Sequence, residues 1–453
     1  MKIPGPALLS LALLLAGAAR AQVSAGGEPD APTTLPDRLD LPTAIRYALD
    51  HNYPILQARE QIRQQEGVII QVKAQGIPNL QATAGYQRNS AAVSQTGLPS
   101  TSLWTLELKA TQALYAGGAI DAGVKSAKLT RDAAVFSLQS TIDASLLDVR
   151  TKFYGVLLAR EELGVQEENV KLDRRELQDT QNQFSAGSVS NFEVLRAKVT
   201  LANAQPDYIT ARNNYRIAIE QLRESLGVPS GLGASATFSE VVGRLDTTPV
   251  SFDADAALAS AHEHRPELLT LARQRAAVEQ QVVVAKSTYY PSLSAYGGYE
   301  VGGADLVGSN NEAGGYYGAN GWLVGVQGAW SVFDGRATEG KVEQARSLLA
   351  QNQLAYASEE LAIDVEVRQA LSTWEEAAEL VDASKQTVAQ AAEALRLASE
   401  RYRAGAATQL DVLTSETALT QTRTNQLQAN YNYLVAVAAL RKAMGLGDVE
   451  IKN

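Results

Sequence analysis

Four short stretches of the chain alternate apolar and polar residues, and two long stretches carry apolar residues at every seventh position. Leu80, Ala82, Ala84 and Tyr86 alternate with Gln81, Thr83, Gly85 and Gln87, and Trp104, Leu106, Leu108 and Ala110 alternate with Thr105, Glu107, Lys109 and Thr111. A period of two predicts strands with one apolar and one polar face, because successive side chains of a strand point to opposite sides. Later, Leu293, Ala295 and Tyr299 alternate with Ser294, Tyr296, Gly298 and Glu300, and Trp322, Val324, Val326 and Trp330 alternate with less regular partners. Each predicted strand spans about 10 residues, which suits a tilted strand crossing a membrane and equally a strand lying on a soluble core.

From Gly118 to Phe184, and again from Arg336 to Tyr402, the chain runs without proline. At ~1.5 Å per residue each run makes a helix on the order of 100 Å long, far more than a compact domain needs. Along the second run Val367, Trp374, Val381, Val388, Leu395 and Tyr402 recur every seven residues, with Ala370, Ala377, Ser384, Ala391 and Ala398 three residues after the first five. Large knobs alternating with small holes predict close, coiled-coil-like helix packing. Upstream, Val342, Leu349, Tyr356 and Ile363 keep the step, and the four-residue step to Val367 is a stutter that locally unwinds a supercoil. The first run keeps its large positions at Val149, Val156, Leu163, Val170, Leu177 and Phe184, but Lys152, Gln166 and Asp173 make its hole positions more polar.

These patterns occur twice. Pro54 and Pro266 stand 212 residues apart, and Pro78, Leu80, Ala82, Gly85 and Tyr86 recur as Pro291, Leu293, Ala295, Gly298 and Tyr299 at an offset of 213. From Trp104 and Trp322 onward the offset is 218, through Gly117 and Gly335, Gly187 and Gly405, Leu195 and Leu413, and Gly227 and Gly445. The length change therefore falls between the paired strands, where an exposed loop tolerates it. Each unit reads helix, strand, loop, strand, long helix, turn, helix, which predicts a duplicated domain and not a solenoid array.

Aromatic residues weigh between the two strand readings. Tyr86, Trp104, Tyr299 and Trp322 stand at the loop-side strand ends, with Tyr115, Trp330 and Phe333 towards the other end, as membrane-interface girdles are placed. Four strands cannot close a membrane barrel, whose smallest form has about 8, so several chains must contribute.

Composition narrows the classes further. The 453 residues are 45% hydrophobic and 20% charged, enough to bury a sizeable core. The formal charge of -10 has the wrong sign for a nucleic-acid binder. There is no cysteine, which removes disulfides, thiol nucleophiles and thiolate metal sites. Lys2, the apolar run from Ala7 to Ala18 and the small-x-small site Ala19-Arg20-Ala21 read as a secretory signal, predicting a mature chain from Gln22. His262 and His264 are two apart, which on a helix points them away from each other, and His51 is solitary. No nucleophile-and-base pairing or phosphate-cradling loop appears, so no catalytic residue, metal site or cofactor is expected, and the chain reads as a non-enzyme.

With those residues in view, the chain resembles the TolC-like outer-membrane efflux family over essentially its whole mature length. The features that carry the resemblance are Asn52-Tyr53-Pro54, His264-Arg265-Pro266-Glu267, the Pro-x-Leu strand entries at Pro78 and Pro291, and two tip segments. The tips are Phe184-Ser185-Ala186-Gly187 leading to Glu193-Val194-Leu195, and Tyr402-Arg403-Ala404-Gly405 leading to Asp411-Val412-Leu413. The resemblance implies a homotrimer with twelve outer-membrane strands in contact with lipid, and a twelve-helix periplasmic tunnel closed by an iris. It also implies a periplasmic adaptor meeting the tips at Ala186, Gly187, Ala404 and Gly405, and an inner-membrane pump behind it. Glu193, Tyr402 and Asp411 match gate and pore positions. Ala407 and Thr414 depart from the family pattern of a latch arginine and a second aspartate. Asp411 also reads as a charge compensating a helix N-terminus.

The expected fold is thus mixed: a long α-helical barrel plus a transmembrane β-barrel, with four β-strands per protomer. Its expected divisions are a signal peptide over 1–21, a first repeat over 22–227, a linker over 228–255 and a second repeat over 256–453. The expected function is a passive exit duct of a tripartite efflux or type I secretion system, for small molecules or proteins. A secreted trimeric coiled-coil adhesin or structural protein uses the same rods and stands as the alternative.

Overall fold

A computed structural model describes residues 35–89, 101–228, 238, 240–306 and 316–447. The expected signal peptide, the centres of both inter-strand loops, part of the linker and residues 448–453 lie outside the described residues.

The elements follow in the order β1 (Arg38–Leu39), α1 (Leu41–His51), α2 (Tyr53–Ala74), β2 (Asn79–Asn89), β3 (Thr101–Ala116), α3 (Ala119–Ser185) and α4 (Asn191–Leu226). Then come β4 (Glu240–Val241), α5 (Ala254–His264), α6 (Pro266–Lys286), a short 3-10 turn, β5 (Ser292–Leu306), β6 (Tyr316–Ala329), α7 (Ala337–Arg403) and α8 (Gln409–Ala443). The two proline-free rods α3 and α7 are each 67 residues long. No described helix is long and apolar enough to cross a membrane.

Local chemistry sets the short helices. Asp40 and Asp253 accept from the backbone N–H of Thr43 and Ala256, capping α1 and α5 at 3.0 and 2.8 Å. Pro54 and Pro266 occupy the first turns of α2 and α6, where a missing N–H costs nothing. Asn52 caps α2 through Ile55 and donates to the Ser225 carbonyl at 2.7 Å, tying the start of one helix to the end of α4.

β2, β3, β5 and β6 form one antiparallel sheet in that order, leaving β2 and β6 as its edges. The strands run 11 to 16 residues, longer than the ten expected from the alternation. A bulge between Ala113 and Tyr115 shifts the parity, so that Tyr115 pairs with Leu293 on the apolar face. Two further strands, absent from the four expected, are β1 and β4; they pair in parallel over two residues each, Arg38 with Glu240 and Leu39 with Val241. A two-residue strand has no periodicity to read. Arg160 holds this addition by donating to the Val241 and Gly243 carbonyls at 2.9 and 2.8 Å.

The core sits around the middle of the rods, away from the sheet. Leu146, Val149, Phe153, Val156 and Leu157 of α3 pack with Leu39, Ile55, Leu222, Leu226 and Val241. The corresponding cluster in the second half joins Ile363, Val367 and Leu371 of α7 to Ala257, Ala261, Leu268 and Leu440. Each buried Leu, Ile or Phe contributes ~1.5–3 kcal/mol, so these belts anchor the short helices and the linker to the rods. Arg265, only 3% exposed, belongs to the second half: it pairs with Glu267 at 2.9 Å and Glu366 at 2.6 Å, and Lys442 reaches the same Glu366 at 2.9 Å.

Candidate functional site

Two regions at opposite ends of the rods carry the functional geometry. The first is the sheet. The register places Leu80 against Ala110, Ala82 against Leu108, Ala84 against Leu106 and Tyr86 against Trp104, so the apolar residues of both strands share one face. Tyr299 pairs with Trp322, Gly297 with Val324 and Ala295 with Val326 on the same side. That face is not covered: Tyr86, Leu106, Leu108, Val324, Val326 and Trp330 are all exposed, and Trp322 is 77% exposed. A contiguous exposed apolar face of this kind marks contact with lipid or with another protein.

The opposite face is polar. Gln81, Thr83, Glu107, Lys109 and Glu300 line it, with Glu107 directly across from Glu300 in the β3–β5 pairing and Lys109 3.8 Å from Glu107. Of the five expected girdle residues, Tyr86, Trp104, Tyr299 and Trp322 follow the apolar parity, and the exposed Trp330 stands one residue beyond the end of β6. The Tyr86–Trp104 pair lies level with Gly303 and not with Tyr299, a stagger of the kind that tilted strands produce.

The second region is the far end of the rods. α3 turns into α4, and α7 into α8, through Gly187 and Gly405, each at φ +74°. Only a residue without Cβ adopts this left-handed backbone without strain. The Ser188 N–H bonds to the Gln183 carbonyl at 2.9 Å and the Ala406 N–H to the Arg401 carbonyl at 2.8 Å, closing both turns alike. Ala186, Gly187, Ala404 and Gly405 are exposed, and beside them so are Phe192, Leu195 and Leu410.

Asp411 closes a capping box on α8: its carboxylate accepts from the Thr408 N–H and hydroxyl, both at 2.8 Å, while the Asp411 N–H returns to Thr408 Oγ1 at 3.3 Å. These bonds hold its carboxyl below the usual carboxylate range, backbone N–H first. Tyr402 is half-buried near Glu176 and Glu193, and its hydroxyl is pushed up by burial and then by those two carboxylates. Glu193 lies 2.6 Å from the Arg196 guanidinium as a charge contact. The structure thus brings Tyr402 and Glu193 together, and Asp411 serves the neighbouring helix cap.

Sequence reasoning missed the residues that join the two halves here. Arg196 donates to the Gln409 amide oxygen, and the buried Gln409 donates to Glu176 at 2.6 Å. Thr420 donates to Asn169 at 2.9 Å further along the same two helices, α8 and α3. Between those contacts lie Asp173, 7% exposed, and the half-buried Glu416. Burial and then the Asp173 and Glu176 charges push the Glu416 carboxyl up to about 7, and burial and then Glu176 raise Asp173. A signal existed for Asp173, a carboxylate standing at a small-residue position of the heptad pattern.

Comparison with known proteins follows the same outline. The model of the family described as "Outer membrane efflux protein" matches residues 44–228 and 257–446. Nodulation protein T of Rhizobium leguminosarum bv. trifolii is 24% identical over 419 residues, covering 90% of this chain and 85% of that protein. The cobalt-zinc-cadmium resistance protein CzcC of Cupriavidus metallidurans is 26% identical over 430 residues, covering 93% and 94%. Among solved structures, the Campylobacter jejuni CmeC outer membrane channel superimposes with a TM-score of 0.74 at 16% identity, covering 90% of this chain and 86% of that one.

Proposed function

The chain belongs to the outer membrane efflux protein family, and from that premise we propose that it is one of three copies forming a passive exit duct for a tripartite efflux or type I secretion system. It is an outer-membrane protein with a periplasmic helical extension, and it is not an enzyme.

The observation that carries the proposal is the four-stranded sheet with one exposed apolar face, one polar face and two free edges. Pairing β6 of one copy with β2 of the next removes every edge, and three copies of four strands give a twelve-stranded barrel within the known range of such barrels. The apolar face then meets lipid with Tyr86, Trp104, Tyr299, Trp322 and Trp330 as girdles, and Gln81, Glu107, Lys109 and Glu300 line the water-filled bore. Twelve helices from α3, α4, α7 and α8 continue that bore into the periplasm. The exposed turns at Ala186, Gly187, Ala404 and Gly405, with Phe192 and Leu410 beside them, offer an adaptor an apolar landing surface. Glu193, Tyr402 and Asp411 lie by the narrow end as gate residues. Cargo choice and energy belong to the adaptor and inner-membrane pump.

Purification in mild detergent followed by negative-stain imaging and planar-bilayer recording tests this reading. Hollow threefold particles that conduct ions support it. Solid rods without conductance overturn it in favour of a secreted coiled-coil structure.

A further inference from the structure

The duplication makes one half of the chain a template for the edge of the other. β3 runs on to Ala116 because its last residues pair with the start of β5, Tyr115 with Leu293 and Ala116 with Ser292. The position equivalent to Ala116 in the second repeat, 218 residues on, is Asp334, yet β6 ends at Ala329. Since β6 is an edge of the sheet, residues 330–334 have no strand beside them to join. Val332 and Phe333 within that stretch are 78% and 85% exposed.

The residues that follow repeat the contrast. A Cβ on Gly117 would lie 2.6 Å from the Ser287 carbonyl oxygen and 3.1 Å from the Tyr290 Cβ, because the end of β3 presses on the turn after α6. Gly335 has the same left-handed backbone, φ +64° against +59°, but a Cβ there meets nothing within 4 Å. The turn after α2 is the counterpart of the one that Gly117 touches: the Tyr290 N–H bonds to the Ser287 carbonyl at 3.0 Å, and the Ile77 N–H to the Ala74 carbonyl at 3.3 Å. That turn leads into β2, the other edge of the sheet. Arg336 stands at φ +72°, among the described residues the one non-glycine with positive φ, where the first repeat has Gly118 at φ +83°. An L side chain held there costs about 5- to 30-fold in the local equilibrium. Its Nε and Nη2 engage the exposed Glu339 at 2.7 Å, a surface pair that offsets little of this and leaves Nη1 for a further acceptor. Along the rods, Phe136 of α3 is half-buried with the Arg273 guanidinium of α6 5.8 Å from its ring, whereas its counterpart Leu354 on α7 is 71% exposed.

We infer that residues 330–336 are an assembly strip whose partner is a second copy of this chain. Residues 330–334 complete β6 as a strand on the start of the neighbouring copy's β2, and Gly335 and Arg336 seat on the turn after that copy's α2. The inference rests on the ring of three copies proposed above and fixes its register. Carried across by the two offsets of the repeat, the β3–β5 pairing sets Val326 opposite Tyr86, Gly328 opposite Ala84 and Phe333 opposite Leu80 of the neighbouring copy. Phe333 and Leu80, both exposed in the lone chain, then cover each other as Tyr115 and Leu293 do within it. The Arg336 guanidinium meets the carbonyl end of the neighbour's α2, where the helix dipole favours a cation. That contact accounts for an arginine in a backbone conformation that suits glycine.

The absence of cysteine lets disulfide capture in the full-length oligomer test this register. Within one copy Leu80 and Phe333 belong to opposite edges of the sheet, three strand spacings or about 14 Å apart. A disulfide spans only ~4.4–6.8 Å between Cα atoms. Leu80→Cys combined with Phe333→Cys should therefore link copies to one another, giving covalent dimers and trimers on a non-reducing gel. Ala82→Cys combined with Phe333→Cys moves one partner to the diagonal position, ~7–8 Å away, and should lose the link. Arg336→Gly relieves the strain inside a copy and removes the contact between copies. The SDS-resistant oligomer should then fall to monomers at a lower temperature than the native one, whereas a purely local role for Arg336 would raise that temperature. Capture with Ala82→Cys in place of Leu80→Cys, capture with neither in an oligomer that still conducts ions, or a more heat-resistant Arg336→Gly oligomer overturns the strip while leaving the ring. A native chain that stays monomeric in mild detergent overturns both.

Discussion

Val326 and Gln327 are adjacent on β6 and belong to opposite faces, Val326 pairing with Ala295 and Gln327 with Ser294. Trp322, on the same face, and Trp330, just past the strand's end, stand four residues to either side of Val326. At ~3.4 Å per residue the two tryptophans are about 27 Å apart along the strand. At a tilt of about 40° that is about 21 Å along the membrane normal, close to the ~25 Å apolar band of an outer-membrane barrel. On the proposed barrel Val326, 63% exposed in the protomer, therefore lies at the midplane. An arginine there costs ~2–4 kcal/mol, which at tenfold per ~1.4 kcal/mol is about 30- to 700-fold in the folding equilibrium of each chain. On the same proposed barrel Gln327→Arg points into the bore, where substitutions tune selectivity, and should cost less. Folding into lipid vesicles across a urea titration, read by the heat-sensitive shift of the folded band on a gel, measures both. A cost for Gln327→Arg equal to or above that for Val326→Arg refutes the assignment of faces.

Three other outcomes follow from local geometry. Gly187 and Gly227 both have φ near +75°, but a Cβ on Gly187 meets open space while one on Gly227 would lie 2.2 Å from the His51 carbonyl oxygen. Gly187→Ala should cost ~1 kcal/mol of backbone strain and Gly227→Ala roughly 1–3 kcal/mol more from the overlap, a difference that thermal inactivation of the oligomer resolves. Arg265→Met strands Glu267 without its buried partner and should cost ~3–5 kcal/mol, lowering the same inactivation temperature; a rise instead would mean the ion network is a net burden. His262 lies 2.6 Å from Asp364 and 3.4 Å from Glu360, and the Asp364 hydrogen bond holds it above its ordinary 6.5. A raised histidine stabilises fully below 6.5 and loses that contribution as pH rises through its folded value, so thermal stability should decline over that interval and His262→Gln should flatten the decline.

Different parts of the molecule were legible for different reasons. The rods were expected from Gly118 to Phe184 and from Arg336 to Tyr402, and run Ala119–Ser185 and Ala337–Arg403, because proline-free heptads bounded by glycine leave little freedom for the ends. The capping role of Asp411 was readable from the Thr408-x-x-Asp411 spacing. The alternation stopped being readable after Ala110, since the bulge near Leu114 reverses the parity. The pairing of β3 with β5 joins residues on the far sides of two long helices, and nothing local encodes it. The same holds for Glu416, an ordinary polar residue of its own helix until packing half-buries it.

The free edges of β2 and β6 have a genetic consequence. A chain whose strands are sound but whose tips are blocked still offers both edges to its neighbours, so it enters rings as readily as the native chain. With equal amounts of both, random assembly of the proposed trimer leaves about one ring in eight wholly native. Lesions at the tips should therefore be dominant, whereas lesions that destroy both edges should be recessive, because those chains join no ring.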